Sequence, residues 1–340
     1  MNARSLRNFQ HRFAQRWIHT LRRSFVPALF CALGCTVAQA QSSYPNKPIR
    51  LILVVAAGGS ADSLGRIVAD RLAPSLGQSV LVENRGGAGG NIASQIVARA
   101  PPDGYTLLLT ANNHNVNPRI YKDAGYDPRR DFVPVVQLSE GPSVLVTQPG
   151  SPYKNLAQVV DAAKAQPRQI AYGSAGFGQP VHIAMELFMA AARIQLAHVP
   201  YKGAGPALQD ALGGQIPLVM SSLAGAMPHI VAGKLRALAI NGDARWPGLG
   251  QVPTMAELGY PAATHWLWLG IVAPAETPPT VIERLNREIN TVLAEPAVRE
   301  RILALGTAPI GGTPAAFARK LMADFNAVEE LVAQTGMKAE

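Results

Sequence analysis

Short apolar runs alternate with helical patterns along most of the chain. Residues 49–55 form an apolar run that is typical of a buried parallel strand. Apolar residues at spacings of three and four then predict a helix, and they are Leu64, Ile67, Val68, Leu72 and Leu76. The same order recurs from residue 169, where a short strand pattern precedes Val181, Ile183, Met185, Leu187 and Phe188. This alternation predicts an α/β fold.

Two glycine-rich loops, residues 57–62 and residues 173–179, each join a predicted strand to a predicted helix. Glycine lets the backbone approach a ligand closely because it has no Cβ. The first N–H groups of the helix that follows have no partner inside the helix, and together with the helix dipole they favour an anion. For the first loop taken alone, a tight turn capped by Ser60 is an alternative interpretation.

The spacing of the glycines indicates that the chain contains two similar halves. Gly59 and Gly89 lie 30 positions apart, and Gly176 and Gly205 lie 29 positions apart. We therefore expect two α/β lobes that each present glycine-rich loops at the carboxyl ends of their strands, where open α/β sheets bind ligands. Two such edges that face each other would form a cleft that holds an anion from both sides.

Two apolar segments predict the points at which the chain crosses between the lobes. The first is at residues 142–152 and the second at residues 266–273. We accordingly assign residues 41–145 and 268–340 to the first lobe and residues 146–267 to the second lobe. The C-terminal part shows helical patterns, with Thr277 expected to cap one helix and Thr313 to begin the last.

The first 40 residues have the pattern of an export signal. They contain six arginines and no acidic residue, followed by an apolar stretch and Ala38-Gln39-Ala40. We expect cleavage after Ala40 and export to the periplasm. The apolar stretch is too short to act as a stable membrane anchor. An ordinary Sec signal is our interpretation, although Arg22-Arg23 leaves twin-arginine export open and Cys35 is a weak candidate for lipidation.

Removal of this signal changes the composition that matters. The whole chain carries a net charge of +9, and the six arginines leave with the signal, so the mature chain carries +3. No Lys/Arg cluster with interleaved aromatic residues occurs, which disfavours nucleic-acid binding. Both cysteines, Cys31 and Cys35, also lie in the signal. The scattered histidines lack a metal-ligand spacing, and no catalytic motif is present, so we expect no metal, no cofactor and no enzymatic activity.

The candidate ligand contacts lie in the two loops or at strand ends beside them. They are Ala57, Gly58, Gly59, Ser60, Asp62, Asn112, Ser174, Ala175, Gly176, Gly178, Gln179, His182, Ser221 and Trp268. Asp62 either complements the helix dipole or binds a ligand amine or a water. His182 either closes its loop or touches the ligand. Asn112 lies in a run that is also typical of a plain loop, and Trp268 either packs between the lobes or lines the cleft.

Several ordered segments resemble the Bug-type substrate-binding receptors of tripartite tricarboxylate transporters, over essentially the whole mature chain. They include Ala57-Gly58-Gly59-Ser60, Val82-Glu83-Asn84-Arg85, Pro102-Asp103-Gly104-Tyr105, His198-Val199-Pro200-Tyr201-Lys202-Gly203 and Gly311-Gly312-Thr313-Pro314. The resemblance implies a two-lobed periplasmic-binding-protein-like fold of type II, with two crossings and a ligand cleft between the lobes. It also implies a monomeric receptor that captures a small carboxylate and delivers it to membrane transporter subunits.

In that family the carboxylate is held largely by backbone N–H groups and ordered waters of the loops that match residues 57–62 and 174–179. This chain departs from the family pattern at Gln179, where Ser or Thr is usual, and at Ser221, where Asp is usual. The departure at Ser221 removes a negative charge and would disfavour an amine at that end of the ligand.

Other functions remain as alternatives at this point. A solute receptor could serve an ATP-driven transporter or a sensor kinase instead. An enzyme that processes a carboxylate or a phosphate on the same fold is a further alternative, although the chain shows no convincing nucleophile–base pair.

Overall fold

The computed structural model describes residues 44–338, apart from Ala56 and Gly59. The expected export signal, with its cleavage after Ala40, lies outside the described residues, as does Gly59 of the first glycine-rich loop. The chain from residue 45 onward forms one compact unit, Pro45–Glu340. Among the helices that the structure describes, none combines the length and the apolar character needed to cross a bilayer.

Six strands form the first sheet: β1 (Ile49–Leu53), β2 (Val80–Asn84), β3 (Thr106–Ala111), β4 (Phe132–Gly141), β10 (Leu267–Pro274) and β11 (Ala308–Pro309). Their spatial order is β11-β4-β10-β3-β1-β2. β1 lies parallel to both β2 and β3, whereas β10 is antiparallel to β3 and β4. The central strands are buried on both faces, which explains why they appear in the sequence as continuous apolar runs.

Five strands form the second sheet: β5 (Ser143–Thr147), β6 (Ala171–Ser174), β7 (Ala197–Pro200), β8 (Leu218–Ser222) and β9 (Arg236–Asn241). Their spatial order is β7-β6-β8-β5-β9. β6 is parallel to β7 and β8, and β5 is antiparallel to β8 and β9. In both sheets three parallel strands lie beside an antiparallel strand, which is β10 in the first sheet and β5 in the second. The repeated sequence pattern predicted the two similar α/β halves.

Ten α-helices flank the sheets in the described part of the chain. Those that accompany the first sheet are α1 (Ser60–Leu76), α2 (Asn91–Ala98), α3 (Asn113–Ile120), α8 (Pro279–Ala294), α9 (Pro296–Ala304) and α10 (Pro314–Thr335). Those that accompany the second are α4 (Leu156–Ala165), α5 (Pro180–Ala192), α6 (Ala204–Leu212) and α7 (Leu223–Val231). We call each sheet with its helices a lobe.

The predicted cap of the last helix is confirmed, and the one before α8 is wrong. The Thr313 hydroxyl accepts a hydrogen bond from the Ala316 amide at 3.1 Å. Thr277 does not cap α8, because the N-cap position, directly before the helix, is occupied by Pro278. The Thr277 hydroxyl instead donates to the Pro274 carbonyl at 2.7 Å, so it fixes the turn after β10.

The chain passes between the sheets twice. Pro142 is the single residue between β4 and β5, and the segment between β9 and β10 makes the return. The predicted limit at residue 145 falls inside β5, which pairs with β8 and β9 and whose central side chains are buried among those of the second sheet. The sheets therefore change over at Pro142, while the lobe limits as drawn from the sequence stay a prediction.

The lobes meet through helices on one side and through loops near the crossings. Val116 and Ile120 of α3 and Val328 of α10 pack against Ile183 of α5 in one buried apolar cluster. At a second place, Gly306 of the first lobe lies so close to α7 that a Cβ on it would come within 2.5 Å of the Ala224 Cα. The first contact buries apolar side chains, and the second requires glycine.

We expect Gly270→Ala to lower the free energy of unfolding by about 1–3 kcal/mol, because the added methyl group overpacks a filled core. Gly270 lies on β10 directly below the ring of Phe317, and a Cβ at this position would overlap the ring. Urea unfolding followed by circular dichroism measures the change.

Two controls accompany this substitution. Gly205→Ala adds a methyl group where no heavy atom lies within 4 Å, so the free energy of unfolding should not fall. Phe317→Leu added to Gly270→Ala should recover part of the loss, and an undiminished loss would contradict the proposed overlap.

Candidate functional site

The first glycine-rich loop connects β1 to α1 and turns at Gly58. Gly58 has a φ of +93°, a conformation that favours glycine, and open space surrounds the position that a Cβ would occupy. Its amide donates a hydrogen bond to Asp62 Oδ2 at 2.9 Å. This bond fixes the loop to the first turn of α1.

Asp62 is buried, and its carboxylate accepts hydrogen bonds from three protein groups. Oδ1 accepts hydrogen bonds from Arg66 Nε at 3.1 Å and from Asn84 Nδ2 at 3.0 Å. The bond from the Gly58 amide is the main cause that holds the pKa of Asp62 below its ordinary value, and the bonds from Arg66 and Asn84 act in the same direction against the effect of burial. The geometry favours the structural role of Asp62 over a contact with a ligand amine.

The second glycine-rich loop connects β6 to α5 and contains two glycines in left-handed conformations. Gly176 has a φ of +131° and Gly178 a φ of +71°. The Gly178 amide donates to His182 Nδ1 at 3.1 Å, and the Gly176 amide donates to Ser174 Oγ at 3.2 Å. A side chain at either glycine would strain the backbone, so valine substitutions here would disturb folding as well as binding.

Two amides of this second loop remain available for a ligand. Within the described part of the chain, the amides of Ala175 and Phe177 donate no hydrogen bond to a protein group. Ala175 and Phe177 lie five and three residues before the start of α5, and Gln179, half-buried, is the residue that directly precedes this helix. Free amides beside a helix N-terminus form an anion-binding arrangement that needs no cationic side chain.

Four stacked or tilted aromatic and imidazole rings pack against one another at the second loop. The rings of His182 and His198 are stacked with centroids 4.1 Å apart, and Phe177 and Tyr172 extend this stack at its two ends. His198 Nε2 lies 2.7 Å from Ser174 Oγ. Burial lowers the pKa of His198 to about 3, and the adjacent His182 acts in the same direction, so the ring of His198 is neutral.

Asn112, directly after β3, and Trp268 of β10 form a structural junction inside the first lobe. Asn112 is buried, and its side chain accepts from the Trp268 amide at 3.0 Å and donates to the Trp266 carbonyl at 3.0 Å. The indole of Trp268 is also buried, packs edge-on against Phe317 and donates to Asp324 Oδ2 at 3.3 Å. These contacts give both residues a role inside the first lobe, and their contact with a ligand stays an untested prediction.

The asparagine-rich run after β3 has the same character. Asn115 donates to Asp324 Oδ2 at 3.2 Å, and Asn117 donates to the Gly89 carbonyl at 2.9 Å. Asn113 donates to that same carbonyl. The asparagines therefore join α3 to α10 and to the loop that contains Gly89.

Ser221 is the second-to-last residue of β8 and is fully buried. Its hydroxyl has no hydrogen-bond partner among the described residues. The next residue, Ser222, accepts from the Gly225 amide at 3.4 Å and so caps α7. A buried hydroxyl without a protein partner is available to a ligand or a water, which keeps Ser221 among the candidates.

Sequence reasoning did not single out four residues that hold the loops. Arg66 and Glu186 each follow a loop-fixing residue by four positions, and Asn84 and His198 lie on the strands after α1 and α5. The spacing of four on a helix was a usable signal for the first pair. The second pair is brought to the loops only by strand pairing. Among the described residues, no group of three His, Cys, Asp or Glu side chains could hold a metal.

Most of the chain matches one protein family. The family described as "Tripartite tricarboxylate transporter family receptor" matches residues 64–337. Protein BugT of Bordetella pertussis (strain Tohama I) is 38% identical over 283 residues, 83% of this chain and 87% of that protein. A protein of the tcbD-tcbE intergenic region of Pseudomonas sp. (strain P51) is 36% identical over 313 residues, 92% of this chain and 93% of that protein. The chain therefore belongs to the family of tripartite tricarboxylate transporter receptors, and the resemblance seen in the sequence is confirmed.

Solved structures agree with this assignment. The periplasmic binding protein BugD is 33% identical with a TM-score of 0.77, over 87% of this chain and 100% of that chain. An R. palustris protein with adipate is 32% identical with a TM-score of 0.78, over 87% and 99%. MatC from Rhodopseudomonas palustris with bound malate is 29% identical with a TM-score of 0.76, over 85% and 100%. The predicted α/β fold of the periplasmic-binding-protein type is confirmed.

We expect Asp62→Asn to lower the free energy of unfolding at neutral pH by about 1–3 kcal/mol, because it removes the charge from a buried, hydrogen-bonded carboxylate. The pKa of Asp62 is lowered in the folded state, so its contribution is complete above the ordinary value and is lost as the pH falls through the folded value. The difference from wild type should shrink below about pH 4. Urea unfolding at several pH values measures it, and a difference that stays constant would contradict this role.

Proposed function

We propose that this protein is a receptor that captures a small carboxylate between its two lobes and delivers it to the membrane subunits of a tripartite tricarboxylate transporter. The observation that carries the proposal is the pair of glycine-rich loops, each fixed at a helix N-terminus. Membership of the receptor family supports it. The structures with adipate and malate, at 32% and 29% identity, support a carboxylate as the class of ligand.

The carboxylate would be held mainly by the backbone. The amides of Ala175 and Phe177 have no protein acceptor, so we propose the second loop as one anchor for the carboxylate. The N-terminus of α5 adds a favourable dipole. Charge-assisted bonds of this kind are stronger than neutral ones, which explains how a site without a dedicated arginine can hold an anion. Ordered waters could complete the contacts at little cost in affinity.

The other end of the ligand would meet neutral groups. Ser221 offers a buried hydroxyl where the family pattern has an acidic residue, and Gln179 offers an amide near the second loop. A neutral polar group or a second carboxylate would be accepted there more readily than an amine, because no side-chain carboxylate at Ser221 compensates a positive charge.

The remaining parts of the proposal concern the setting. The export pattern before Ala40 and the family assignment support a periplasmic protein that is cleaved after Ala40. We propose that the mature protein acts as a monomer, closes on its ligand and has no catalytic activity. A receptor for an ATP-driven transporter or for a sensor kinase would bind its ligand at the same site. Measuring uptake of the carboxylate into cells, rather than its binding to the receptor, therefore separates these alternatives from the proposed transporter.

A thermal-shift screen of the mature chain, residues 41–340, tests the binding proposal. A carboxylate with a Kd of about 10 µM, present at about 1 mM, would add about 2.7 kcal/mol to the free energy of unfolding. For a chain of this size the unfolding midpoint should rise by at least about 2 °C. The panel should include adipate, malate, aromatic acids and amino acids.

Each acid should be paired with a neutral analogue of the same carbon chain, such as the diol that corresponds to adipate. Only the acids should raise the midpoint. Equal shifts with acid and neutral analogue, or no shift with any carboxylate, would argue against a carboxylate receptor.

A further inference from the structure

The two glycine-rich loops are fixed by the same hydrogen bond at equivalent positions. In the first lobe the Gly58 amide donates to Asp62 at 2.9 Å, and in the second lobe the Gly178 amide donates to His182 at 3.1 Å. Each donor is a glycine with positive φ, and each acceptor is the third residue of the helix that follows. The separation along the chain is four residues in both lobes.

The support of the two acceptors is also equivalent in position, although the supporting side chains differ in charge. Asp62 is held by Arg66, four residues later, through a bond of 3.1 Å to Nε. His182 Nε2 lies 3.4 Å from Oε1 of Glu186, which is likewise four residues later. The lobe built on an acidic acceptor thus has a basic support, and the lobe built on an imidazole has an acidic one.

A group from the strand after each helix completes the arrangement. Asn84, the last residue of β2, donates to Asp62 at 3.0 Å. His198 of β7 stacks on His182 and contacts Ser174 Oγ at 2.7 Å. The Tyr172 hydroxyl donates to Glu186 at 3.0 Å, so the acidic support is itself held in place.

We propose that His182 and Asp62 are paired positioning residues, and that His182 sets the direction in which the second loop presents its free amides to the ligand. This inference rests on the proposed function. His182 is buried and its Nδ1 is occupied by the Gly178 amide, so it acts through the loop and does not contact the ligand. Because Nδ1 accepts, the ring proton lies on Nε2, which faces Glu186.

This tautomer defines a matched set of variants. His182→Asn places a side-chain oxygen where Nδ1 now accepts, whereas His182→Leu removes the acceptor and keeps an apolar side chain of comparable bulk. His229→Leu, on α7, makes the same chemical change at a histidine whose described contacts do not include either loop, so it serves as the control.

The measurements are calorimetric affinity for adipate and malate, and hydrogen exchange of individual backbone amides by NMR in the ligand-free protein. In His182→Leu we expect affinity to fall at least tenfold and the Gly178 amide to exchange at least tenfold faster, while the Gly58 amide is unchanged. His182→Asn should recover most of both losses, and His229→Leu should behave as wild type.

Unchanged affinity in His182→Leu, or equal losses in His182→Leu and His182→Asn, would overturn the inference. If His182→Leu does not fold, wild-type exchange decides: the Gly178 amide must be protected relative to the Ala175 and Phe177 amides, and equal exchange refutes the bond. If wild type binds no carboxylate, the proposed function fails, while the exchange of Gly178 and Gly58 still tests the paired hydrogen bonds separately.

Discussion

The hydrogen bond that closes each glycine-rich loop is the constraint on which the binding surface depends. A loop before a helix leaves several amides without backbone partners, and their directions are set only if part of the loop is fixed. In this protein one amide of each loop is used for that purpose, by Asp62 in the first lobe and by His182 in the second. The amides of Ala175 and Phe177 in the second loop then keep a defined direction, while no described protein group accepts a hydrogen bond from them.

The rest of each lobe holds these two acceptors still. Charged or aromatic supports from the same helix and from the next strand surround each one, and the strands themselves are fixed by buried apolar side chains. Several buried polar side chains join elements elsewhere inside the first lobe. Asp324 is one of them, and it accepts from Asn115 and from the indole of Trp268, which ties the C-terminal helix to the sheet.

The asparagine-rich run after β3 also joins elements of the first lobe. A short amide side chain can donate and accept at once, so it can join backbone groups that no secondary structure pairs. Asn112 does this for the start of β10, and Asn117 does it for the loop at Gly89. The run therefore stabilises the first lobe next to the site.

The sequence by itself determined the alternation of strands and helices, the two halves, the two crossings and the glycine-rich loops, because these depend on local periodicity and on the special conformations of glycine. The cap at Thr313 followed from the same local chemistry. The sequence pattern also placed Asp62 and His182 in the first turns of their helices. Only the tertiary structure decided what those side chains do, since Asn84 and His198 reach them through strand pairing. Tertiary packing likewise placed Trp268 inside the first lobe, because alternation along a strand shows which side chains share a face but not what covers that face.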